Sequence, residues 1–142
     1  MAITAKLFGL AIKSLANKEI DWDTDTVKAV LCSATYTPDQ DAHQYASSLT
    51  NELAGGGYAR VTLAGKTTTY TAGTNTHMLD AADFSFPALT GTFRYLIYLI
   101  DTGVAGTSPL VAYVDFGADQ TATAQDVNIT LDAAGVVSVV VA

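Results

Sequence analysis

The stretch "TFRYLIYLID", residues 92–101, constrains the fold more than any other. Its aromatic and β-branched residues suit a strand. Side chains alternate along a strand, so Phe93, Tyr95, Ile97 and Leu99 share one face and Leu96, Tyr98 and Ile100 the other. Both faces are apolar, whereas a simple two-sheet sandwich leaves its outer faces polar. This strand therefore needs cover on both sides, from the N-terminal helix or from another subunit. "VVSVVVA", residues 136–142, makes the same demand. Left uncovered, it is an aggregation hazard. Charge is too sparse to solvate such surfaces easily: Asp, Glu, Lys and Arg make up 15% of the 142 residues, against about 25% in typical soluble domains.

The length suits one domain, residues 1–142, with a core large enough to need no disulfide or metal. Leu7, Phe8, Ala11, Ile12 and Leu15 fall on one helical stripe, which predicts a helix over residues 4–17 with Thr4 as its cap and Asn17 near its end. Lys13 breaks the apolar run, so a signal peptide is not expected. From Asp21 the period changes. "VKAVLCSATY", "YARVTLA", "KTTTYTA", "TFRYLIYLID" and "PLVAYVDFG" read as strands, and "THMLDAADFSF" as two short strands or a strand and a bend, stopped by Pro87. "VNITLD" and "VVSVVVA" flank "AAG" as a hairpin. The predicted class is mainly β: an antiparallel sandwich of seven or eight short strands with a short N-terminal helix.

The motif-like stretches fail on spacing. "NELAGGGYARVTL", residues 51–63, places three glycines before a strand. "AGKT", residues 64–67, supplies the second half of a phosphate loop, but the first glycine would have to be Arg60. No helix follows to receive the phosphate. The glycines read as a flexible entry to a strand. Asp21, Asp23 and Asp25 start like a calcium loop, yet Thr26 and Cys32 stand where glycine and glutamate are required. A solvated corner, with Trp22 packing inward, is expected instead. His43 and His77 lack partners at metal-ligand spacing. Cys32 sits in an apolar run and reads as buried. Ser108 lies in no nucleophile elbow, and nothing singles out Glu19 or Glu52, the only glutamates, as a catalytic pair. Neither an enzyme, a cofactor nor a metal is expected. The net charge of −7 opposes binding to nucleic acid, and no run nears the ~20 apolar residues that span a bilayer.

"KEIDWDTDTVKAVL", "YTPDQDAHQY", "NELAGGGYARVTL", "SPLVAYVDFG" and "ITLDAAGVVSV", in this order, resemble a group of virion structural proteins of tailed bacteriophages. The resemblance covers most of the chain and rests on no catalytic residue. It implies a small β-rich particle protein of the capsid cement (decoration) type, made in the bacterial cytoplasm and carried on the outer capsid surface. Its partners would be the major capsid protein and further copies of itself, as a homotrimer. The resemblance supplies no binding residues. The doubly apolar strands do, and they nominate Arg94, Leu96, Tyr98, Ile100, Val137, Val139 and Val141 as an interface. The alternatives are another tail or head-completion subunit, or a tail-fibre module that binds a receptor or glycan. That module would want Tyr36, Tyr45, Tyr58 and Tyr70 clustered at the surface.

Overall fold

A computed structural model describes residues 3–141. The described elements are β1 (Thr4–Leu7), α1 (Gly9–Ala16), β2 (Val27–Cys32), β3 (Val61–Thr62), β4 (Thr67–Thr71), β5 (Thr76–Asp80), β6 (Phe84–Ile100), β7 (Leu110–Ile129) and β8 (Val137–Val140). They form a five-stranded sheet, β1-β7-β6-β2-β3, and a three-stranded sheet, β4-β5-β8. All pairings are antiparallel.

β6 and β7 dominate the fold as one long ribbon of 17 and 20 residues. The ribbon does not run straight. The rings of Phe84 and Tyr98 lie 6.2 Å apart, although an extended strand would separate residues at that sequence distance by about 46 Å. Register shifts at Phe86/Leu89, Leu89/Gly91 and Phe93/Tyr95 bend it. Ala88 and Ala124 take left-handed backbone, with φ of 46° and 49°, in the bent region. The far end of the ribbon thus returns over its own Tyr98 face. On the opposite face Tyr36 meets Tyr95 edge-on at 6.1 Å, and Phe8 meets Tyr113 at 4.9 Å. The doubly apolar strand is covered on both sides by its own chain.

Several sequence-based expectations change here. The helix begins at Gly9, not at residue 4, because Thr4–Leu7 pair with Asp115–Ala112 as an edge strand. Thr4 is therefore no cap: Phe8 occupies that position without a side-chain hydrogen bond. Pro87 does not stop a strand; it sits exposed at a bulge, where its missing N–H costs no ladder bond. Most of "PLVAYVDFG" and the first half of "VNITLD", Val127 to Ile129, belong to one strand, β7. Gly135 does close a turn on Asp132, but β8 then leaves β7 and pairs with β5. The predicted hairpin is replaced by a crossing into the second sheet.

The aspartate-rich corner ties the two sheets. Trp22, 2% exposed, donates its indole N–H to the Asp80 carbonyl at 2.9 Å. Thr68 donates its hydroxyl to Asp23 at 2.9 Å, and the Lys66 ammonium donates to the Asp25 carbonyl. The carboxylates that resembled a calcium loop accept bonds from their own turn and from β4.

Candidate functional site

The triple glycine is a structural clamp. Residues 51–60 lie across the bent ribbon. All three glycines have positive φ, and Thr90 N–H donates to Gly56 O at 2.7 Å. A Cβ on Gly56 would stand 2.1 Å from Thr90 O, and one on Gly57 2.7 Å from Ala88 O. Leu53 presses against Gly91, and Tyr58 stacks on Phe86 at 6.1 Å. Close backbone approach, more than flexibility, requires glycine here.

Beside the clamp, Arg60 forks onto Glu52 at 2.8 and 2.7 Å, while the Tyr58 hydroxyl donates to Glu52 at 2.8 Å and accepts Leu31 N–H at 3.2 Å. Burial opposes the Glu52 charge, but the bonds from Arg60 and Tyr58 prevail and hold its carboxyl below the usual carboxylate range. Burial first, and then the Glu52 charge, push the nearby Cys32 thiol up to about 12. At neutral pH this thiol is protonated and a poor nucleophile. Near Tyr36, Asp39 N–H donates to His43 Nδ1 at 3.2 Å, and Tyr36 Oη lies 3.0 Å from the same nitrogen. Among the described residues no group of three His, Cys, Asp or Glu side chains is arranged to hold a metal ion. These polar side chains hold loops to strands.

The nominated interface residues separate into three groups. Leu96, Tyr98 and Ile100 are 1–2% exposed and belong to the core. Their burial corrects the placement outside the core; over Tyr98 it comes from the return of the ribbon, which an alternating pattern cannot reveal. Leu96 and Tyr98 floor a groove of about 320 Å³ with Val114, Ile129 and Val136. Arg94 is half-buried and forks onto Asp115 at 2.9 and 3.2 Å. Val137 is buried, Val139 is half-buried and Val141 is 50% exposed; these three lie at or beside the edge strand β8.

Part of the exposed apolar surface lies on α1 and at β8. Ile12 and Leu15 of α1 are 49% and 39% exposed, whereas Ala11 and Ser14 face inward. The stripe predicted for the core is thus only partly buried. Ile12 and Leu15 line a second groove of about 320 Å³ with His77, Leu79, Val137 and Val139. Val140 stands 67% exposed. The helical period pointed to Ile12 and Leu15 as apolar but gave no sign that they lack a complete partner. The four tyrosines are not a surface cluster: Tyr36 is buried, Tyr45 and Tyr58 are half-buried and hydrogen-bonded to Glu19 and Glu52, and Tyr70 is exposed beside His77.

Comparisons with protein-family models, with curated proteins and with solved structures find no match.

Proposed function

We propose that this chain is a virion structural protein of a tailed bacteriophage, of the cement type, which binds the assembled head shell from outside and stabilises it by bridging capsomers. The observation that carries the reading is the neutral apolar surface where β8 meets α1, with Ile12 and Leu15 exposed on an open groove that Val137 and Val139 also line. Patches of this kind mark protein contacts. The sequence resemblance supports the same reading, as does the negative charge, which would repel packaged DNA. We take the two sheets as the halves of a sandwich whose α1 and β8 side meets other chains, and the oligomer as a homotrimer.

Mechanism follows from mass action. A protein that binds the closed shell more tightly than free shell subunits shifts assembly toward the shell. Three linked copies multiply that effect through avidity. The test is co-sedimentation of purified protein with empty shells, together with gel filtration of the free protein. Saturable, stoichiometric binding supports the reading. A monomer that ignores shells but binds a host glycan supports the tail-fibre alternative.

A further inference from the structure

We propose that the groove floored by Leu96 and Tyr98 binds a small neutral molecule, apolar over most of its surface, with one oxygen that accepts a hydrogen bond from the Tyr98 hydroxyl. The floor is one face of the larger sheet. Leu96 of β6 pairs with Val114 of β7, which pairs with Ala5 of β1, and Tyr98 stands two residues beyond Leu96 on the same face. The opposite wall is the returning end of the ribbon. Ile129 pairs with Phe84, whose ring meets Tyr98 edge-on at 6.2 Å. With Ile129, Leu131 and Val136, this returning chain bounds a space of about 320 Å³.

Hydrogen bonds to other parts of the chain hold that wall. Leu131 N–H donates to Asp83 Oδ1 at 2.8 Å, and Val136 N–H donates to Leu79 O at 2.8 Å. The wall is thus fixed to β5 and to the residues before β6, and its backbone has no need to settle onto Tyr98. Sites for small molecules are commonly formed in advance in this way, and about 300 Å³ is the small end of their range.

The Tyr98 hydroxyl points to a ligand independently of the groove's shape. Tyr98 is 2% exposed, and among the described residues its hydroxyl has no hydrogen-bond partner. Buried tyrosine hydroxyls ordinarily have one. No described side-chain oxygen or nitrogen is both sealed from solvent and unpartnered. The hydroxyl therefore meets open space, and the groove that Tyr98 lines is that space. Burial raises the phenol above its ordinary value, so at neutral pH it is protonated and donates.

The walls set the rest of the ligand's chemistry. Leu96, Val114, Ile129 and Val136 offer no polar side-chain atom, which opposes an ionised ligand. Asp132, exposed at the rim, opposes an anion in particular. A carbonyl oxygen satisfies the phenol, whereas a hydrocarbon leaves it unpaired. At about 30 Å³ for each water-sized group, the space takes roughly ten of them, the size of a simple aryl ketone.

The probe is acetophenone, with α-methylstyrene beside it as a molecule of the same shape that carries a methylene in place of the oxygen. Each is titrated into the intact protein while the methyl resonances of Leu96, Val114, Ile129 and Val136 and the Cζ resonance of Tyr98 are followed. Acetophenone is expected to shift these methyls saturably and to move Tyr98 Cζ, which α-methylstyrene leaves in place. Tyr98→Phe keeps the ring and removes the donor. It is expected to bind acetophenone about fivefold more weakly and α-methylstyrene as the wild type does. Methyls that do not shift overturn the proposal, and so does a Tyr98 Cζ that responds to both probes alike; neither result depends on the variant. Unchanged acetophenone affinity in Tyr98→Phe, or equal weakening of both probes, also overturns it. Shifts of these methyls that grow with protein concentration alone do the same, because a second copy would then fill the groove. The measurement uses no shells, so its failure leaves the cement reading standing.

Discussion

Gly56 and Gly55 share a left-handed backbone, with φ of 57° and 69°, but only Gly56 is crowded. That contrast separates two costs. Gly55→Ala meets nothing within 4 Å and is expected to lose about 1–2 kcal/mol, the ordinary left-handed penalty. Gly56→Ala adds a collision with the Thr90 carbonyl and is expected to lose about 3 kcal/mol or more; urea unfolding of both variants checks the difference. Glu52 gives a second test. Its carboxyl is held below the usual range in the folded chain. A depressed carboxylate stabilises above its unfolded pKa and loses that contribution as pH falls through the folded value. Thermal midpoints are expected to drop as pH falls below about 4. Glu52→Gln should lower the neutral-pH midpoint and flatten that acid decline, and an unchanged acid slope would contradict the role given to Glu52. Asp101 and Asp115, depressed by their bonds from Lys28 and Arg94, supply the remaining slope.

Among the elements, local propensity was readable and long-range return was not. β2, β4 and the second half of β6 could be read from β-branched and aromatic runs, and the end of α1 from Asn17. The start of α1 was lost because Leu7 fits a helical stripe as well as a strand, and only β7 decides between them. The crossing of β8 to β5 leaves no local trace, since "AAG" forms the same tight turn either way. The site was legible in part for the same reason. Val137, Val139 and Val141 lie in or beside the edge strand, whereas Leu96, Tyr98 and Ile100 are buried, Tyr98 under a ribbon that bends at bulges no alternation announces. Tyr98→Asp is therefore expected to unfold the protein, because it buries an unpaired charge at a residue 2% exposed. Tyr98→Phe, which keeps the ring against Phe84, should change stability by less than about 1 kcal/mol. Near-ultraviolet circular dichroism separates these outcomes from a mere loss of association.

For the molecule as a whole, the fold divides its surface by charge. The chain carries a net charge of −7, yet no charged residue occurs between Asp132 and the last residue, Ala142. On the proposed function, the overall charge would repel DNA and the neutral segment would be where other chains make contact. Val140→Lys places a charge at a position 67% exposed. It is expected to leave the fold intact, since natural edges carry lysine for this reason, and to weaken association with other chains. The decisive measurement is the binding isotherm of wild-type protein on empty head shells, with Val140→Lys run beside it. Saturation at a fixed number of copies per capsomer, with affinity reduced in the variant, is the predicted result. Wild-type protein that stays in the supernatant at every shell concentration would contradict it.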